Sequence, residues 1–429
     1  MQGDAIRAGF SEAMSAMYRS EVPQYGTLLE LVAAINRRAL RQDPSLLAAG
    51  GGAGLGERGR LNAERHGAIR VGTAGELRLL RRLFAVMGMV PVGYYDLSAV
   101  GVPVHSTAFR AIAPGSMRRS PFRLFTSLLR LDLIEDAALR AQASAILQRR
   151  QIVGARALAL IETFEAEGEL DAAQAQAFIH EALHTFRWHD EATVDASTYA
   201  SLRAAHPLLA DVVCFKGPHI NHLTPRVLDI DAAQAAMQAH GLEAKARIEG
   251  PPRRRCPILL RQTSFKALSE PVRFEGEPGV HAARFGEIEQ RGAALTEAGR
   301  ALYDRLLAQE LADHDAGAFA AFPDDHETLR RDGLAFYRYV PVADVPLGAQ
   351  SLEEAIRAGS VRAEPILYED FLPVSAAGIF RSNLAGGPGE TRPASPRRGV
   401  LEEALGCDVL DPFALYEAES VSSAAAITL

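Results

Sequence analysis

The segment His66-Gly-Ala-Ile-Arg70-Val71 returns later in the chain as His222-Leu-Thr-Pro-Arg226-Val227. An imidazole is a metal ligand, and a guanidinium binds a carboxylate through two parallel hydrogen bonds. In a β-strand, residues i, i+2 and i+4 share a face. His66 and Arg70 would therefore point the same way, as would His222 and Arg226. The strand-like run 282–291 adds Glu287 and Glu289 on one face, and either can supply a carboxylate. Two imidazoles and one carboxylate make the facial triad of non-haem Fe(II) oxygenases. Such a triad leaves three octahedral positions open, two for the carboxylate and keto oxygens of a 2-oxo acid and one for O₂. Arg70 is the natural partner for a substrate carboxylate, whereas Arg226, which follows Pro225, fits a structural or a binding role.

These residues need elements that bring them together. Each H-x-x-x-R-V copy opens a similar series. Thr73-x-x-Glu76 fits a capping box and leads into an apolar-periodic helix closed by Gly88; Asp231-x-x-Gln234 leads into another closed by Gly241. Three strand-like stretches follow each helix: 90–97, 103–112 and 122–129 in the first copy, 244–249, 258–265 and 282–291 in the second. The first strand of the second copy is expected over 219–227. The expected fold is α+β, with two βαβββ modules forming a curved central sheet around a metal. The last strand of the first module, 122–129, carries no inward acid or histidine, so only the second module contributes a carboxylate.

The chain is expected to divide into five regions. Residues 1–62 hold N-terminal helices and a Gly-rich loop, and 63–130 form the first module. A helical insertion covers 131–212, rich in Ala, Leu and Glu. The second module covers 213–292. A C-terminal helical region, 293–429, includes a looser closing segment at 368–383.

Other motifs carry less. His180-Glu181-Ala182-Leu183-His184 fits the H-E-x-x-H pattern of zinc peptidases on a helix. The metzincin continuation fails, because Arg187 and Asp190 stand where glycine and histidine are required. Gly54-x-Gly56-x-x-Gly59 matches a dinucleotide fingerprint in letters alone; no strand precedes it, and a strand follows where a helix is required. No G-x-S-x-G elbow or P-loop occurs. Arg253-Arg-Arg255 reads as a solvated turn. His219 is expected on the face opposite His222 in a structural hydrogen bond, and Trp188 with His189 in packing. His105, His206, His240 and His281 earn no functional weight.

The net charge of −7 disfavours nucleic acid as a partner. No apolar run is long enough for a membrane helix. The start, Met1-Gln-Gly-Asp-Ala-Ile-Arg7, lacks a signal-peptide pattern, and Cys214, Cys256 and Cys407 are scattered, so a cytoplasmic setting with buried thiols is expected. A zinc peptidase and a non-catalytic small-molecule-binding module are the rival readings. Metal identity and O₂ consumption separate them from an iron oxygenase.

Four segments carry a wider resemblance: Arg65-His-Gly-Ala-Ile-Arg70, Asn221-His-Leu-Thr-Pro225, Phe285-Gly-Glu-Ile-Glu-Gln-Arg-Gly292 and Glu369-Asp-Phe-Leu-Pro-Val-Ser-Ala-Ala-Gly378. In this order they resemble the 2-oxoadipate dioxygenase/decarboxylase (hydroxyglutarate synthase) family, over nearly the whole chain to about Asn383. The resemblance implies a core similar to the vicinal-oxygen-chelate fold and a mononuclear Fe(II) enzyme of lysine breakdown. Such an enzyme turns 2-oxoadipate and O₂ into 2-hydroxyglutarate and CO₂. By position it implies His66, His222 and Glu289 as metal ligands, with His66 and His222 also touching substrate. Arg70 would grip the substrate, and Val374 and Ser375 would lie in the segment that closes over it.

Overall fold

A computed structural model describes residues 2–44, 46, 55–98, 101–313, 317–342, 351–372 and 397–428. Its centre is the strand β1 (Arg65–Val71), whose residues are buried or half-buried throughout. Alternation splits this strand between two cores. Ile69 and Val71 join the larger apolar cluster with Phe84, Phe109 and Leu124, while Ala68 joins a second cluster with Phe125 and Phe371. His66 and Arg70 share the Ala68 face by period two.

Four further strands complete the main sheet: β2 (Val90–Asp96), β3 (Val104–Arg110), β4 (Phe122–Leu129) and β5 (His222–Pro225), in the order β2-β3-β4-β1-β5. β1 runs parallel to β4, with His66 opposite Arg123 and Arg70 opposite Ser127. It runs antiparallel to β5, with His66 opposite Thr224 and Ala68 opposite His222. Beyond β5 comes β9 (Glu287–Arg291), joined by a parallel bridge between Arg226 and Glu289 and by the Val227 amide donating to the Glu289 carbonyl at 2.7 Å. β6 (Leu260–Ser264) pairs antiparallel with β9.

The two halves therefore match about the β1–β5 seam. β1, β4, β3 and β2 in the first correspond to β5, β9, β6 and the stretch 244–249 in the second. This is the expected α+β arrangement of two βαβββ modules. The second copy is the looser one. Its opening strand is regular only over His222–Pro225, shorter than the expected 219–227. The stretch 244–249 is no strand and touches β6 only through the bridges Ala244–Phe265 and Glu249–Gln262. The expected strand 282–291 breaks before Glu287, and a hairpin of β7 (Ser269–Phe274) and β8 (Glu277–Ala282) stands ahead of it.

Helix caps follow local chemistry. Thr73 and Glu76 form the expected capping box on the helix Ala74–Val86. On the helix Ile230–Ala239 the cap is Asp229 rather than Asp231, which pairs instead with Arg261 at 2.7 Å. Between β4 and β5 lie the helices Ala137–Gln148, Ala155–Glu167, Ala172–Phe186, Ala196–Ala205 and Pro207–Val213. The C-terminal region holds more than helix: β10 (Tyr337–Pro341) pairs with β11 (Val361–Pro365). The helix Gly3–Glu21 is stapled to both modules. Fully buried Arg7 donates to the carbonyls of Ser120, Met87 and Ser116 at 3.0, 2.8 and 2.9 Å. The Tyr18 hydroxyl bridges the carbonyls of Asn221 and Phe285 at 3.0 and 2.8 Å. No helix among the described residues is long and apolar enough to cross a membrane. Cys214 and Cys256 are buried, and Cys407 is half-buried.

Candidate metal centre

β1, β5 and β9 bring four of the expected site residues together. His66, His222, Glu287 and Glu289 are all completely buried. The two imidazoles meet edge to face with centroids 5.3 Å apart. One donor atom from each of His66, His222 and Glu287 lies within 4.8 Å of the other two. Apolar rings wall the group: Phe371 stands 4.9 Å from His66, and Phe285 stands 4.8 Å from His222.

The hydrogen bonds around this group fix which atoms face inward. The Thr224 hydroxyl donates to Glu287 Oε1 at 3.0 Å, so its oxygen is left to accept from His222 Nδ1 at 2.9 Å. That places the His222 proton on Nδ1 and the lone pair on Nε2. Gln262 Nε2 also donates to Glu287 Oε1, at 2.7 Å. The remaining atoms, His222 Nε2 and Glu287 Oε2, are buried with no hydrogen-bond partner among the described residues. His66 Nε2 lies 3.0 Å from Glu287 and Nδ1 lies 2.9 Å from Glu289, but neither contact has hydrogen-bond alignment. Buried polar atoms without partners are costly in an apolar core. Here the three residues that carry such atoms are the ones whose donor atoms group within 4.8 Å, and a divalent cation held among them would supply the missing partners.

Glu289 is differently placed. Both its oxygens are engaged by Arg291, at 2.8 and 2.9 Å, and its second oxygen is the one near His66 Nδ1. A carboxylate on the far nitrogen of a ligating histidine orients the ring and raises its basicity. Burial alone would push Glu289 up, but Arg291 and His66 outweigh it and hold the carboxyl down at about 2. Burial pushes His222 well below the ordinary histidine range, helped by His66 and Arg70, so this ring is neutral as a ligand must be. His66 is shifted the other way: burial lowers it, but Glu289 and Glu287 prevail and raise it.

Arg70 lies further along the same face of β1. Its Nη1 pairs with Asp211 at 2.6 Å. Arg226 does not join the metal group and reaches Glu64 at 3.1 Å. Val374 and Ser375 lie outside the described residues, as does all of 373–396; from the expected closing segment, Phe371 is the residue that touches the site. His180 and His184 sit 4.9 Å apart on a helix, but His180 is 69% exposed and Glu181 faces Arg156 at 3.5 Å. Among the described residues the His66 group is the one cluster of three or more potential ligands.

Sequence reasoning missed a buried charge cluster beside the site. Glu64 receives Arg123 at 2.9 Å and Arg226 at 3.1 Å, and Arg291 and Arg60 lie 3.7 and 3.8 Å away. Glu369 takes Arg60 at 2.5 Å and a further contact from Arg123. Burial lowers Arg123 to about 9, with Arg291 adding to the shift. Apart from the i,i+4 pair Arg60–Glu64, no local pattern marks these residues, because their partners are distant in sequence.

The model of the 2-oxoadipate dioxygenase/decarboxylase family matches residues 10–383. The chain belongs to the 2-oxoadipate dioxygenase/decarboxylase family. The family member from Pseudomonas putida is 56% identical, over 96% of this chain and 94% of that protein, and the member from Escherichia coli K12 is 56% identical over 96% of both. A member from Mycobacterium bovis is 41% identical over 97% of each chain. Among solved structures, the hydroxyglutarate synthase from Pseudomonas putida in complex with 2-oxoadipate superposes with a TM-score of 0.92. It shares 54% identity, and the match covers 100% of this chain and 98% of that one.

Proposed function

We propose that this protein is an Fe(II)-dependent dioxygenase/decarboxylase that converts 2-oxoadipate and O₂ into 2-hydroxyglutarate and CO₂. The observation that carries the reading is the convergence of two imidazoles and a glutamate with unpaired buried atoms, with Arg70 on the same strand face. Two imidazole nitrogens and one carboxylate suit Fe(II) with open positions. The 2-oxoadipate-bound structure of a relative more than half identical supplies the substrate class.

Bound iron would supply a Lewis-acidic centre that chelates the 2-oxo acid and activates O₂. His66 and His222 hold it and border the substrate. Both β9 carboxylates belong to the iron site: Glu289 is the ligand the family motif implies, and Glu287 is the one grouped with the two imidazoles and left with an unpaired buried oxygen. Whichever does not ligate the metal steadies the histidines. Ala68 is level with His222, and Arg70 is two residues further on, a step of roughly 6.6 Å along the strand. That separation suits a diacid with its keto end at the metal and its far carboxylate on the guanidinium. Phe371 and Phe285 exclude water from the reacting end. Val374 and Ser375, which follow Phe371 closely in sequence, are assigned to cover the substrate. In the net reaction the C1–C2 bond breaks, C1 leaves as CO₂, C2 becomes a carboxyl carbon and C3 gains the hydroxyl. Both atoms of O₂ end in the product. The place of this chemistry is lysine breakdown in the cytoplasm, without nucleic acid or membrane as partner.

The test is anaerobic reconstitution with Fe(II) followed by O₂ uptake with a series of 2-oxo acids. Equal amounts of O₂ consumed, CO₂ released and 2-hydroxyglutarate formed are expected. Binding of 2-oxoadipate without O₂ uptake would instead favour a binding module. Zinc retained through His180 and His184, with peptide cleavage, would favour a peptidase.

A further inference from the structure

Arg70 does not stand alone behind the substrate. Its partner Asp211, on the helix Pro207–Val213, is itself gripped by two histidines. His281 Nε2 meets Asp211 Oδ1 at 3.0 Å, and His219 Nε2 lies 3.2 Å from the same oxygen. Asp211 Oδ2 is the atom that takes Arg70. The two oxygens thus divide their work: one faces the imidazoles, the other faces the guanidinium. The Tyr199 hydroxyl lies 2.9 Å from His281 Nδ1, and donating there keeps the His281 proton on Nε2, toward Asp211. Trp188 stacks on His281 with ring planes 4° apart and meets His219 edge-on at 4.8 Å. Asp211, His219 and His281 are each less than a tenth exposed.

A free arginine side chain loses rotamer freedom when a carboxylate docks on it, and one already held in place loses less. Arg70 shares the β1 face of His66, so the anchored guanidinium stands on the same side of the strand as the metal centre.

We propose that Asp211, clamped by His219 and His281, is a positioning residue that aims Arg70 at the far carboxylate and so sets the preference for 2-oxo diacids over 2-oxo monoacids. The inference rests on the dioxygenase reading above and deepens it. His281 comes from the β7–β8 hairpin, so that hairpin has a function in specificity.

The test measures anaerobic affinity of the Fe(II)-loaded full chain for 2-oxoadipate and for 2-oxohexanoate, which has the same length but lacks the far carboxylate. The wild type should bind the diacid at least about tenfold more tightly; absence of that preference would overturn the dioxygenase reading of Arg70 itself. Asp211→Asn should retain iron and reduce the ratio of the two affinities at least about fivefold. His281→Ala should move the ratio in the same direction, by about threefold, and His281→Gln, which keeps a donor, should restore most of it. A wild-type ratio in Asp211→Asn and His281→Ala would overturn the proposal. So would equal weakening of both acids together with iron loss, which marks a purely structural role. If Asp211→Asn does not fold, the two His281 variants decide alone.

Discussion

Replacing Glu64 by Gln removes one negative charge and almost no volume from a crowded buried charge cluster. Glu64 is fully buried, and four guanidiniums lie within 4 Å of its carboxylate: Arg123, Arg226, Arg291 and Arg60. Arg60 and Arg123 also have Glu369, and Arg291 also has Glu289, whereas the ion pair of Arg226 is with Glu64. Removing one partner of a buried pair costs about 3–5 kcal/mol, because the other charge stays buried without compensation. With an unfolding entropy of about 2.1 cal/mol/K per residue, this chain of 429 residues has roughly 0.9 kcal/mol/K at its midpoint. The expected fall in Tm is therefore about 3–6 °C, measured by calorimetry near pH 7.5 with iron content held equal. Adding Arg226→Met to Glu64→Gln removes the most exposed imbalance and should recover at least about 1 kcal/mol. A Glu64→Gln variant that melts within about 1 °C of wild type would refute the reasoning, since it would mean that the arginines are compensated elsewhere.

Three further outcomes are expected. Glu287→Gln should weaken Fe(II) binding by more than about 100-fold, and Glu289→Gln by about 10–100-fold, as for an outer partner of a metal-bound histidine; anaerobic titration checks the order, and the reverse order makes Glu289 the ligand as the family motif implies. Burial pushes Glu64 and Asp211 up, but Arg226 and its neighbours for the first, and His219 and Arg70 for the second, hold both below their ordinary values. Their contribution to stability is therefore complete above about pH 5 and lost as pH falls through the depressed folded values; urea midpoints should decline steadily below pH 5, and a flat profile to about pH 3.5 would contradict the assignment. Gly292→Ala places a Cβ 2.1 Å from the Pro257 carbonyl carbon and 2.2 Å from its oxygen, against backbone that cannot rotate away; a loss of about 1–3 kcal/mol or more in urea unfolding is expected, and an unchanged midpoint would show that the chain after β9 shifts freely.

Period-two reading made His66, Arg70 and His222 legible, because Ile69, Val71 and Leu223 go to the larger apolar core and alternation sends the polar residues to the other face. The same rule could not separate Glu287 from Glu289, which share a face. What separates them is the neighbouring strand and the chain's own Arg291. Gln262 and Thr224 occupy one oxygen of Glu287 and leave the other unpaired, while Arg291 takes both oxygens of Glu289. The strand expected over 282–291 is interrupted over 283–286; at Gly286 a Cβ would fall 1.9 Å from the Phe265 ring, so the close packing there leaves no room for a side chain. Asp211 and His281 carried no local signal, since their contacts span 141 and 70 residues.

The two copies of the H-x-x-x-R-V pattern pair about the β1–β5 seam of the sheet. Their arginines diverge because their surroundings do. In the first copy Arg70 meets Asp211, whose charge is shared with two imidazoles. In the second, Arg226 meets Glu64 and is walled by Arg123 and Arg291, which face the same carboxylate. A diacid held at its keto end between His66 and His222 has two directions along the strands. Toward Arg226 it would have to displace a buried glutamate from several guanidiniums at once. Toward Arg70 it meets a guanidinium on the His66 face, so under the proposed reaction the far carboxylate lies on that side. Divergence of one arginine is thus enough to turn a symmetric pair of strands into a site with a single orientation for its substrate.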